Sequence, residues 1–233
     1  MSIKSKNLIN KIKRNNPYFE DMITRSVYHS NRIEGYTLSY AETYSIIFNN
    51  KNNIQVKATL KDLYGATNLK YAIDYVLRNL DKAVSLEMIK KIGVIINKNI
   101  KNVKDYRNDQ VYIKGSQHIP PKYYEVKNLL TKLLYIDTKD RQEDLFNYLA
   151  RFHIEFERIH PFEDGNGRTG RVLIFKELLN RGQAPIVIPY ELRDKYMNYL
   201  EDRNVKMLAE LFRKLQEEEI KRMERFGIKV WIN

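Results

Sequence analysis

Apolar residues recur at three- and four-residue steps along most of the chain, the spacing of one helix face turned to a core. Leu69, Ala72, Ile73, Val76, Leu77 and Leu80 form one such series. Leu86, Ile89, Ile92 and Ile96 form the next, with Ser85 placed to cap the helix start. Leu145, Tyr148, Leu149, Phe152, Phe156 and Ile159 make a third stripe. Val172, Phe175, Leu178 and Leu179 make a fourth, which stops before Gly182, a natural residue just past a helix end. Ser39-Tyr40-Ala41-Glu42 reads as a capping box opening a helix after Gly35. The charged stretch Arg213 to Arg225 reads as a helix with a solvated face, Glu217, Glu218 and Glu219 preceding Lys221 and Arg222 in good order for i,i+4 pairs. One segment breaks the helical period. From Asn108 to Pro121, Val111 and Ile113 alternate with polar neighbours before Gly115-Ser116, and Pro120-Pro121 follows, which predicts a short β-hairpin or extended flap. The fold class is mostly α-helical.

Composition sharpens this picture. The 233 residues include only 9 Gly and 6 Pro, scattered without a linker or an internal repeat, so one compact domain with an N-terminal extension is expected. There is no cysteine, which excludes disulfides and leaves any zinc site only histidine and carboxylate ligands. Met1 to Arg14 lacks the apolar core and cleavage site of a signal peptide, and no run approaches a membrane span, so a cytoplasmic protein is expected. Lys and Arg total 41 against 29 Asp and Glu, a net charge of +12 that points to a phosphate-bearing partner. A nucleic-acid-binding module is one reading of that charge, but the basic residues are spread from end to end instead of gathered in a stripe.

The candidate chemistry lies between the third and fourth helices, in His160-Pro161-Phe162-Glu163-Asp164-Gly165-Asn166-Gly167-Arg168-Thr169-Gly170-Arg171. Gly165, Asn166 and Gly167 permit a tight turn at a helix start, where free N–H groups and the positive end of the helix dipole favour an anion. Arg168 and Arg171, three residues apart, are placed to reach the same phosphates. Asp164 is a hard oxygen ligand suited to magnesium, and His160 is suited to accept a proton at neutral pH. Each feature alone is common; a histidine after an apolar helix is usually structural, and Gly-x-Gly by a helix is weak evidence for phosphate. Neither a P-loop nor a His-Glu-x-x-His zinc site is present, and His153, Glu157 and His160 have the wrong spacing for the latter. The conjunction describes phosphoryl or nucleotidyl transfer.

The same segment resembles the Fic motif, His-x-Phe-x-(Asp/Glu)-Gly-Asn-Gly-Arg-x-x-Arg, at every defining position. The resemblance implies a Fic-type helical domain over about residues 55–215, with an extension over 1–54 holding an inhibitory helix, a charged tail over 216–233, and a short β-hairpin flap over the active site. It implies transfer of AMP from ATP to a Ser, Thr or Tyr hydroxyl of a target protein. His160 would be the general base and Asp164 the Mg2+ ligand. Gly165, Asn166, Gly167, Arg168 and Arg171 would bind the nucleotide's phosphates, and Phe162 would anchor the loop. Lys114, Gly115, Ser116, Gln117 and His118 in the flap would bind the target. Arg193, Tyr196, Leu200 and Asn204 resemble the part of such domains that lines the adenine pocket, with Tyr196 and Asn204 touching the base.

Upstream, Ser30-Asn31-Arg32-Ile33-Glu34-Gly35 is similar to the inhibitory (Ser/Thr)-x-x-x-Glu-(Gly/Asn) motif of some Fic proteins. It implies that Glu34 pairs with Arg171 in place of a phosphate, while Ser30, one turn earlier, bonds to the Glu34 carboxylate. Alternatives within the enzyme class are transfer of another phosphate-containing group, or removal of AMP with Glu34 as base. The chain itself, with 17 tyrosines and Ser30 near the site, is a candidate acceptor; an oligomer is compatible with the sequence, and a membrane partner is not expected.

Overall fold

The computed structural model describes residues 2–49, 57–113, 115–139 and 144–229. Ten α-helices follow in chain order: α1 Ile3–Arg14, α2 Asn16–Ile33, α3 Tyr40–Phe48, α4 Leu60–Arg78, α5 Leu86–Asn97, α6 Val126–Lys139, α7 Leu145–Ile159, α8 Asn166–Asn180, α9 Arg193–Glu201 and α10 Val205–Arg225. One-turn 3-10 helices at Tyr123–Glu125 and Tyr190–Leu192 lead into α6 and α9. The expected caps are present. Ser85 accepts from the Met88 N–H, and Ser39 and Glu42 close the capping box on each other's backbone. Gly182 sits past the end of α8 at φ 72°, as the sequence pattern requires.

The core gathers around α8, which packs against α1, α2, α4, α5 and α7. The sequence pattern suggested a single apolar stripe there, yet 12 of its 15 residues are buried, Leu173 and Ile174 included. A helix covered on all sides needs this, and the polar residues it buries must be paired. Lys176, fully buried, donates to the Lys82 carbonyl at 2.6 Å. Among the described residues no helix is long and apolar enough to cross a membrane.

Three expectations are corrected. First, no strand occurs among the described residues, and the segment 108–121 is an extended chain that turns at Gly115, with Lys114 lying outside them. Its backbone donors are spent locally or elsewhere, not across a ladder: the Ser116 N–H donates to the Ile113 carbonyl, the His118 N–H to Ser116 Oγ and the Gln117 N–H to Glu201, and Pro120 and Pro121 have none to give. Second, the division at 215/216 falls inside α10, which runs unbroken and packs against α7. Third, Glu219 does not belong to a solvated face. Its side chain is 4% exposed and accepts from both terminal nitrogens of Arg25 at 2.7 Å and from the Tyr18 hydroxyl at 2.6 Å. Arg222, expected to pair along its own helix, instead holds Asp21 of α2. This ion network fixes α2 against α10, and so fixes the helix end that carries Glu34.

Removing one partner of a buried, hydrogen-bonded pair leaves an uncompensated charge. Glu219→Ala is therefore expected to cost about 3 kcal/mol of stability, whereas Glu217→Ala, exposed on the same helix, should stay within about 0.5 kcal/mol. Urea denaturation of the two variants compares them directly.

Candidate active site

The loop from α7 to α8 is held by its own side chains. His160 closes α7 in the left-handed region at φ 50° and ψ 62°, an uncommon conformation for a residue with a Cβ. Phe162 is fully buried and stacks on Tyr106 with ring centroids 5.4 Å apart, the anchor expected of it. Asn166, at the first turn of α8, accepts from the Phe162 N–H and donates to the Phe162 carbonyl, both at 2.9 Å. Its side chain therefore braces the loop, and what it offers an anion is its backbone N–H. Gly165 precedes it at φ 79° and caps nothing with a side chain, so the first N–H groups of α8 are left open to an anion.

The imidazole of His160 is oriented by the Glu157 carbonyl, 3.2 Å from Nδ1. A carbonyl only accepts, so Nδ1 carries the hydrogen and Nε2 keeps its lone pair. Burial, aided by the nearby Arg107 cation, pushes the imidazole down to about 4 and keeps it neutral at pH 7.

Asp164 is a suitable cation ligand. Its side chain is 41% exposed, and Oδ1 is fixed by the Gly165 N–H at 2.6 Å and by Arg168 Nη2 at 3.3 Å. Oδ2 has no hydrogen-bond partner among the described residues. Behind it, Asn97 donates to the Asp164 carbonyl at 2.9 Å.

The two arginines diverge. Arg168 was expected to reach the phosphates, but its side chain is buried, donating to the Tyr36 hydroxyl at 2.9 Å and to Asp164. Its guanidinium also lies 5.1 Å from the Tyr36 ring centroid. Those partners hold it against the buried side of the helix start, with Nη2 3.4 Å from where a Cβ on Gly165 would sit. Tyr36 escaped sequence reasoning, although its position was a signal. Gly35 at φ 84° ends α2, with the Gly35 N–H bonded to the Arg32 carbonyl and the Tyr36 N–H to the Asn31 carbonyl. This is a Schellman end, in which the residue after the glycine turns inward.

Arg171 remains at the mouth of the cradle, where α2 meets it. Its Nε donates to Ser30 Oγ at 2.8 Å, and Nη2 donates to the Ser30 carbonyl at 3.1 Å and to Glu34 Oε1 at 2.6 Å. Burial favours the neutral carboxyl of Glu34, but Arg171 and Arg168 outweigh it and hold the group below the usual carboxylate range. Ser30 thus acts differently from expectation: it secures Arg171 from the far side instead of bonding to the Glu34 carboxylate. Its residue is 7% exposed, which withdraws it as a self-modification acceptor in this conformation. Glu34 reaches the cradle because Gly167 has no side chain. A Cβ there would sit 2.3 Å from Glu34 Oε1 and 3.0 Å from Arg171 Nη1.

The residues expected around adenine are placed otherwise. Tyr196 is 0% exposed and has no surface for a base; its hydroxyl lies 2.5 Å from His153 Nε2 and 3.5 Å from Arg171 Nη1. Asn204 caps α10, its side chain accepting from the Met207 N–H at 3.1 Å. Arg193 donates to the Ile33 carbonyl at 2.9 Å and so ties down the end of α2. In the flap, Ser116 and the Gln117 N–H both bond to Glu201, at 2.5 and 2.9 Å, and His118 exchanges hydrogen bonds with Arg158. Gly115 stands exposed at the turn. Glu201 carried no signal in the sequence, because nothing local marks a carboxylate 84 residues from its partner.

Known proteins agree with the motif. Residues 83–178 match the Fic/DOC family model. The protein adenylyltransferase Fic of Aedes aegypti is 32% identical over 188 residues, and that of Drosophila virilis 30% identical over 183. These matches take in 76% and 75% of the chain but 36% of either relative, so the chain spans about a third of their length. Among solved structures, a Fic domain containing signaling protein from Bacteroides thetaiotaomicron superposes with a TM-score of 0.80 at 20% identity, covering 99% of this chain and 97% of that one. A Fic-1 fragment from C. elegans gives a TM-score of 0.78 at 20% identity over 95% and 72% of the two chains. The chain belongs to the Fic/DOC family.

Beneath Arg171 lies a buried polar group unforeseen in the sequence: His153, Glu157 and Tyr196. Burial pushes the Glu157 carboxyl up to about 8 and the His153 imidazole down to about 3, so both are neutral at pH 7 and their 3.9 Å approach is not an ion pair. The pH dependence follows. Unfolded Glu157 ionises near 4.5 while the folded group keeps its proton to about 8, so its contribution falls as pH rises through that window. His153 and His160 act in the opposite sense, withholding in the fold protons that the unfolded chain binds below 6.5, and so lower stability as pH falls toward 4. Glu157→Gln is expected to flatten the decline in urea midpoint between pH 6.5 and 8 and, by removing the fall that opposes the two histidines, to make the midpoint rise more steeply between pH 4.5 and 6.5; a decline that persists above 6.5 would mean that Glu157 is already ionised in the fold.

Proposed function

We propose that the protein transfers AMP from ATP to a hydroxyl group of a target protein, and that Glu34 restrains the reaction from within the chain. The observation that carries this reading is the pairing of a neutral His160, its lone pair fixed on Nε2, with an uncapped helix N-terminus beside which Arg171 is held by Glu34. The relatives named protein adenylyltransferase supply the choice of AMP among the groups such a site could move.

In the reaction His160 Nε2 accepts the proton of the target hydroxyl as its oxygen bonds to the α-phosphorus of ATP, and the bond from that phosphorus to the β-phosphate breaks to release pyrophosphate. The open N–H groups of Asn166 and Gly167 face the phosphates, and Arg171 neutralises their outer charge. Asp164 would hold Mg2+ through its free oxygen, and the ion when bound supplies charge neutralisation on the phosphate oxygens. Arg168 acts on this site indirectly, fixing the Asp164 carboxylate from behind. Glu34 takes the guanidinium that the last phosphate would engage, so ATP must displace a charge-assisted hydrogen bond of about 1.5–3 kcal/mol. The extended flap near Gly115 is the surface against which a target segment would lie.

Two measurements follow. Glu34→Gly should raise AMP transfer about 10- to 100-fold, in step with the strength of the contact removed, while His160→Ala in the same background should lower it at least about 100-fold. Incubation with Mg2+ and α-labelled ATP, followed by mass spectrometry of the protein and of added lysate, reads both. Absence of label in Glu34→Gly, with ATP or with other labelled nucleotides, would remove the proposal.

A further inference from the structure

Arg107 lies outside the motif, and its side chain reaches the carbonyls of four residues in three separate chain segments. Nε donates to the His160 carbonyl at 2.8 Å, Nη1 to that of Asp109 at 2.9 Å, and Nη2 to those of Pro121 at 2.5 Å and Ile159 at 3.4 Å. Its own N–H donates to the Pro161 carbonyl at 2.9 Å. The residue is 4% exposed, and among the described residues no carboxylate lies within ion-pair distance of it. A buried cation without a counter-charge is costly, so simple cohesion is a poor reason for it. What a guanidinium alone provides is a planar fork whose donors reach several acceptors at fixed angles.

Those acceptors have one thing in common. Ile159 and His160 form the left-handed turn that ends α7 and aims the imidazole, and a strained turn persists only where its surroundings over-determine it. Asp109 and Pro121 are the two ends of the flap. We propose that Arg107 is a positioning residue that locks the His160 turn to both ends of the flap, so that the general base and the target-holding segment keep one fixed geometry. Its charge also favours the neutral imidazole that a base requires, against Glu34 and Asp164, which favour the charged form.

The catalytic consequence rests on the AMP-transfer reading; the mechanical one does not, and one experiment separates them. Arg107→Lys and Arg107→Met are made in the full chain, each with and without Glu34→Gly. Hydrogen exchange is followed over 107–121, over 157–163 and over α2 and α10. Lysine keeps the charge but cannot span the four carbonyls, so both variants should accelerate exchange in the flap and in the His160 turn together, leaving α2 and α10 unchanged. In the Glu34→Gly background, kcat should fall about 100-fold, the size of effect a 1 Å misplacement produces, with KM for ATP within about threefold. Three results would overturn the proposal: exchange unchanged in both segments, full activity restored by lysine, or faster exchange throughout the molecule with a lowered melting temperature, which would mark Arg107 as a general folding residue. If the Glu34→Gly parent itself transfers nothing, the proposed function fails while the exchange result still decides the role of Arg107.

Discussion

A guanidinium withdrawn from water must find acceptors for its N–H bonds, and Arg171 finds its three shorter ones on the end of α2. With 8% of its side chain exposed, it spends its donors on Ser30 and Glu34 of the α2 end, and on Tyr196 behind. The docking of α2 in turn rests on contacts far from the site: Arg25 and Tyr18 on Glu219, Arg222 on Asp21, and Arg193 on the last α2 carbonyl. The segments before and after the motif are thereby made parts of it. Of the pair, Glu34 is the more accessible, its side chain 28% exposed against 8% for Arg171.

The two motif arginines illustrate how neighbours decide a role. Separated by three residues on one helix, they are placed to act together, yet Tyr36 and Asp164 draw Arg168 inward while Ser30 and Glu34 hold Arg171 at the mouth. A guanidinium that fixes a carboxylate of its own loop and one that is held by a separate helix do different work, and helical spacing cannot distinguish them. The same holds for the loop asparagine, whose side chain is consumed in bracing Phe162.

Much of the helical framework was legible from local rules, since caps at Ser39 and Ser85 and the glycine ends at Gly35 and Gly182 are decided within a few residues. The loop 160–171 was legible too, because its residues are contiguous and their chemistry is local. Of the two forms expected for the flap, a short β-hairpin or an extended segment, no strand occurs among the described residues, where the Gln117 N–H goes to Glu201 of another element and the Ser116 N–H to the Ile113 carbonyl instead of to a facing strand. Tyr196 and Asn204 were misplaced for a related reason: surface-like positions on a helical period become buried or capping positions only when other helices arrive.

By itself, then, the sequence determined an α-helical protein carrying a histidine, a carboxylate and a glycine-rich helix start in one loop, with a glutamate at the end of an earlier helix. Tertiary structure decided which of the +12 surplus charges matter to the site. It placed Glu34 against Arg171 across 137 residues, buried Arg168, neutralised Glu157, and set Arg107 between the His160 turn and the flap. The physical reason is that burial and partnership set a charged group's protonation and reach, and both depend on residues brought together only when the helices pack.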